Sequence, residues 1–99
     1  MNSVSLIGRL VRDIDIKTTN TGKAVTSFTV AVDRRGDGAD FIRCVAYDKT
    51  AELLQRYVHK GQQVAIDGRL HTDSYEKDGR RVHTCEVITE HVDLIGGAR

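Results

Sequence analysis

The stretch DFIRCVAY, Asp40–Tyr47, holds two of the chain's five aromatic residues with an arginine between them. Read with the two-residue period of a strand, Ile42, Cys44 and Ala46 point to one side, and Phe41, Arg43, Val45 and Tyr47 to the other. The first set suits a core. A buried face rarely carries an unpaired arginine, yet the second set is too aromatic for a plain solvent face. Further along, QQVAIDGRLHTDSY puts Val64, Ile66, Gly68 and Leu70 on one side, and Arg69, His71 and Tyr75 on the other. Aromatic and basic side chains share a side on both segments. That combination holds single-stranded nucleic acid: bases stack on ring faces, at roughly 1–3 kcal/mol each, while cations line the backbone. The competing use of such aromatics is packing under a loop or in a subunit interface.

Other chemistries find less support. TGKAVT lacks the earlier glycine of a phosphate loop. His83 and Cys85 share a strand face, but with His71 or His91 they show no four-ligand spacing, so no metal is expected. The carboxylates of DRRGDGAD lie in a glycine loop, a poor place to fix an acid–base pair. No nucleophile–base arrangement can be defended. The expectation is a binding protein, not an enzyme, without cofactors.

Ninety-nine residues make one domain with a modest core, of a size that often gains stability by self-association. No apolar run approaches the roughly 20 residues of a membrane span, and MNSVSLIGRL lacks the charged start and long apolar run of a signal peptide. A cytoplasmic, nucleoid-associated protein without a membrane partner is expected. Cys44 and Cys85 then read as two reduced core residues. The net charge of +1 hides an uneven distribution, since after Arg81 the only strong base is Arg99, against Glu86, Glu90 and Asp93. A neutral total can conceal a basic face.

The elements that would position these residues are legible from alternation and turn chemistry. SVSLIGRLV is a first strand, and RDIDIKTTNTGK a polar connection with a turn at TNTG. AVTSFTVAVD is a second strand, with Phe28, Val30 and Val32 on one face. RRGDGA is a loop, and Asp40–Tyr47 a third strand. DKTAELLQRYVHKG is a helix, capped by Asp48, closed by Gly61 at C′, with an apolar stripe of Ala51, Leu54 and Val58 widened by Leu53 and Tyr57. QQVAIDGRLHTDSY and RVHTCEVITEHVDLI are the fourth and fifth strands, joined by a hairpin turning at Asp78-Gly79. Arg80 and Arg81 at that hairpin suit either a DNA contact or a solvated tip. Five strands with one α-helix between the third and fourth are the layout of an all-β OB-fold barrel, expected over residues 1–95, with 96–99 as a frayed C-terminal end.

The segments SLIGRL, TNTGKAVTSFTVAVDR and ADFIRCVAYDKTAELLQRYVHKGQQVAIDGRLHTDSYEKDGRRVHTCEV resemble the bacterial single-stranded-DNA-binding protein family, from about Ser3 to Leu94. The resemblance implies an OB fold, a homo-oligomer, usually a tetramer, and sequence-tolerant binding of single-stranded DNA in replication, recombination and repair. It puts Phe41, Tyr47 and Tyr75 at stacking positions, and Arg9, Lys17, Arg43 and Lys49 at or near backbone-contacting ones. With Arg34, Arg69, Arg80 and Arg81 these form the candidate nucleic-acid-binding set. The sequence departs from the family in having no tryptophan, in carrying RRGDG near the aromatic that follows the second strand, and in ending at GGAR where the family has an acidic tail. The last departure implies that replication partners docking on such a tail do not bind this chain. An alternative on the same fold is a primosomal-type OB dimer that docks replication proteins and meets DNA chiefly through lysines.

Overall fold

The computed structural model describes residues 1–96. Its strands are β1 (Val4–Leu10), β2 (Lys17–Thr18), β3 (Ala24–Asp33), β4 (Ala39–Tyr47), β5 (Gln63–Lys77) and β6 (Arg80–Gly96), with α1 (Asp48–Tyr57) between β4 and β5. They form one sheet in the order β1-β5-β6-β4-β3-β2, and β1 also pairs with β3, closing a five-stranded ring. The β4–β6 pairing is parallel and the others are antiparallel. This is the OB fold, with the short β2 added beside the start of β3. Gly96 pairs with Gln63; the rest of the expected frayed end, 97–99, lies outside the described residues.

Alternation sets the interior. Phe28 and Val30 of β3, Cys44 and Ala46 of β4, Val64 and Ile66 of β5 and Val87 of β6 point inward, with Leu10, Ile14 and the helix residues Ala51, Leu54 and Val58. Val4, Leu6, Val32 and Ile42 pack against this cluster from the strand ends. Burying a side chain of this kind contributes about 1.5–3 kcal/mol, so the helix, which packs on β3, β4 and β6, is held by its apolar stripe. Ile14 and Ile16 join the core from the polar connection after β1, and the buried Thr26 hydroxyl donates to the Asp15 carbonyl at 3.0 Å. The two isoleucines keep the two-residue period of extended chain, but two apolar residues in a polar connection do not by themselves announce burial.

Four expectations need correction. Asp48 does not cap α1: the N-cap is Tyr47, no side-chain bond caps the helix, and Asp48 itself adopts φ +50°. The sharp exit from β4 demands that left-handed residue, and aspartate tolerates it better than most. Gly61 is not the C′ residue, because the helix stops at Tyr57 with Val58 as C-cap, and the Gly61 N–H donates to the Leu10 carbonyl at 2.8 Å. Leu53 and Tyr57 are exposed and do not widen the stripe. Leu70 and Cys85 are also exposed, although alternation put Leu70 on the core face and Cys85 was expected in the core as a reduced cysteine. Beyond Leu70 and before Glu86, β5 and β6 run past the barrel as a two-stranded arm, and no core lies beneath either face there. The arm turns at Asp78-Gly79, both with positive φ (53° and 77°), as a two-residue hairpin requires.

Candidate nucleic-acid interface

Residues directly opposite in a ladder lie on the same face of a sheet. Across β3–β4, Phe41 faces Ala31, Arg43 faces Thr29, Val45 faces Ser27 and Tyr47 faces Val25. Across β4–β6, Val45 lies beside Ile88. Across β6–β5, Ile88 faces Arg69, Glu86 faces His71, Thr84 faces Asp73 and Val82 faces Tyr75. One continuous outer face thus spans β3, β4, β6 and β5, carrying Phe41, Arg43, Tyr47, Arg69 and Tyr75. Phe41 is 68% exposed, Tyr47 45% and Tyr75 51%. Unsupported aromatics of that exposure stabilise the monomer little. Val45 and Ile88, both buried, make an apolar floor between them.

At the β3 side the face opens into a groove of about 580 Å³, lined by Val25, Ser27 and Thr29 of β3 and by Val11, Arg12, Asp13, Asp15 and Lys17 opposite. Lys17 is therefore at the rim. At the other side Lys49, in the first turn of α1, borders a small cleft with Glu90 and His91. Arg80 lies across from Lys77 near the tip of the arm, on the face that carries Tyr75.

The cations are not equally available. Arg43 Nε is 3.6 Å from Glu86, Arg69 Nε is 3.6 Å from Glu90, and Arg34 Nε is 2.8 Å from Asp40. Arg9 lies across from Ala31 on the outer surface and donates to the Gly61 carbonyl at 3.0 Å. Arg81 pairs with Ser74 and Glu76 on the opposite face of the arm, away from Tyr75. Lys17, Lys49 and Arg80 have no carboxylate within 4.0 Å among the described residues. The structure thus brings Arg9, Phe41, Arg43, Tyr47, Arg69, Tyr75 and Arg80 onto one face, with Lys17 and Lys49 at its borders. Arg81 is set apart, and Arg34 is tied up in its own loop.

A model of the single-strand binding protein family matches residues 1–95. The chain belongs to the single-strand binding protein family. Among members, it is 46% identical over 107 residues to the single-stranded DNA-binding protein of Clostridium perfringens, covering 100% of this chain and 71% of that protein. It is 48% identical to that of Clostridium tetani and 45% identical to that of Bacillus cereus, each over 96% of this chain, and over 70% and 60% of those proteins. Across eight such relatives the chain spans between 51% and 71% of their length.

Within this family member, two features of the face were not found from the sequence. Val11, Arg12 and Asp13 form a groove wall only because the chain after β1 folds back along β3, which no local pattern announces. Glu86 stands in the middle of the face beside Arg43. Strand alternation from Val87 would have placed it there, had the partner of β4 been known to be β6. Among the described residues no group of three or more His, Cys, Asp or Glu side chains is placed to hold a metal ion, and no helix is long and apolar enough to cross a membrane.

Proposed function

We propose that this chain binds single-stranded DNA with little regard for base sequence, laying the strand across the outer face of β3, β4, β6 and β5. The observation that carries this reading is the ladder register, which gathers three exposed aromatics and the arginines Arg9, Arg43, Arg69 and Arg80 onto one surface. Phe41, Tyr47 and Tyr75 stack on bases. Arg43, Arg69, Lys17, Lys49 and Arg80 meet phosphates, which position the strand without reading it. Residues 1–95 make up the binding domain. Such coating belongs to DNA replication, recombination and repair, the setting that the family resemblance implies.

The protein acts as a homo-oligomer, most simply a tetramer. Among the described residues, Val4–Ile7 of β1 pair with β5 on one side only, and Ile7 stands exposed on that strand. A free edge beside an apolar side chain is a ready site for pairing with a second copy. Light scattering at micromolar concentration tests the assembly.

The binding reading is tested by fluorescence anisotropy with an oligo-dT strand and a duplex of equal length across a salt series. The single strand binds more tightly, and affinity falls with salt as counterions are released. Equal affinity for duplex contradicts the role given to the aromatics, because a duplex hides its base faces.

A further inference from the structure

Two ladders fix the place of Glu86. The parallel pairing sets Cys44 beside Val87, and so Arg43 beside Glu86. The β5–β6 ladder sets His71 on its other side. The Glu86 side chain is only 22% exposed, whereas that of Arg43 is 62% exposed. They approach through Arg43 Nε at 3.6 Å, beyond hydrogen-bonding distance, which leaves the outer edge of the guanidinium open.

We infer that Glu86 is an internal competitor for the phosphate Arg43 would hold, and that it sets how tightly and how salt-dependently single-stranded DNA binds. On the reading of this face proposed above, a phosphate reaching Arg43 also approaches the Glu86 carboxylate, and like charges repel. Glu86 is seated on a central strand and half-buried, so it cannot swing away as a loop carboxylate would. When phosphate takes Arg43, Glu86 loses its partner and draws a cation from solution. That uptake cancels part of the counterion release that drives binding. The Arg69–Glu90 pair has the same geometry, but the Glu90 side chain is 61% exposed, so solvent screens it and its effect is smaller.

The test is an anisotropy titration of oligo-dT at pH 8 over a salt series, with the full chain, Glu86→Gln, Glu86→Thr, Glu76→Gln and Phe41→Ala. Glu76 removes the same charge from the opposite face of the arm, beside Arg81. Both Glu86 variants are expected to bind about three- to tenfold more tightly at low salt, with the gain shrinking as salt rises. Their salt slope should steepen by up to about one unit. Glu76→Gln should change affinity less than about twofold. Unchanged or weaker binding by the Glu86 variants overturns the inference, as does an equal gain from Glu76→Gln, which would trace the effect to net charge. Thermal unfolding of each variant confirms the fold, and glutamine and threonine, differing in size and shape, guard against one of them failing. If Phe41→Ala weakens binding while the Glu86 variants do not tighten it, only the role of Glu86 falls. If Phe41→Ala is silent as well, the interface itself is elsewhere.

Discussion

Gly68 and Ile88 meet backbone to backbone: a Cβ built on Gly68 would run into the Ile88 carbonyl oxygen. The contact lies where β6 carries an extra residue, Glu90, between the partners of Asp67 and Gly68. This bulge bends the long hairpin so that one end closes the barrel and the other runs out as the arm bearing Tyr75.

Gly68→Ala should therefore destabilise the protein by at least about 1–3 kcal/mol, the usual cost of forcing a methyl into a packed site. Denaturant unfolding measures it. A change below about 0.5 kcal/mol, the range of ordinary surface substitutions, would show that the two strands can part without loss.

Thr89, across from Gly68, is buried and its hydroxyl has no hydrogen-bond partner among the described residues. Such a group carries a desolvation penalty of about 1–3 kcal/mol. Thr89→Val keeps the shape and removes the hydroxyl, so it should leave stability unchanged or raise it by about 1 kcal/mol. Loss of stability in denaturant unfolding would contradict this.

The two cysteines should differ in reactivity. Burial pushes the Cys44 thiol up from 9.0 to about 12, whereas Cys85 is exposed on the arm. A thiol reagent at pH 8 should label Cys85 in the folded protein, and both cysteines only after unfolding; peptide mapping reads the sites. The raised value means the folded state keeps the proton longer than the unfolded chain. Cys44 thus costs no stability below 9.0 and an increasing amount as pH rises toward about 12. Cys44→Ala should flatten that part of the alkaline stability profile.

The two arginines after the hairpin turn should also part company. Arg80 shares the face of Tyr75, while Arg81 is held by Ser74 and Glu76 on the other. Arg80→Ala should reduce the salt slope of DNA binding by about one unit, as Lys49→Ala should, and Arg81→Ala should leave it unchanged. An equal reduction for both would show that the strand wraps the arm.

The barrel strands, the helix and the aromatic face were legible because each rests on local alternation. Ile42, Cys44 and Ala46 point inward in strict period two, and the turn Asp78-Gly79 carries its own signature. Legibility ended where alternation continued past the barrel. Leu70 and Cys85 keep the inward phase of their strands, yet the arm has nothing to bury them against. It also ended where the chain closes on itself over a distance, as at Ile14, whose burial depends on β3 lying beside it. Arg81 differs from Arg80 by one residue of register, which decides its face only once the hairpin pairing is known.

The central claim, that single-stranded DNA lies on the β3–β4–β6–β5 face, is tested most directly by photocross-linking. Tyr47, Tyr57 and Tyr75 are almost equally exposed, at 45%, 51% and 51%, but Tyr57 sits on the helix. An oligo-dT strand carrying a photoreactive base should therefore separate location from mere accessibility, with adducts mapped by mass spectrometry. Cross-links at Phe41, Tyr47 and Tyr75, with Tyr57 unmodified, are the predicted result. Cross-links concentrated on Tyr57, with Phe41 and Tyr75 unmodified, would contradict it.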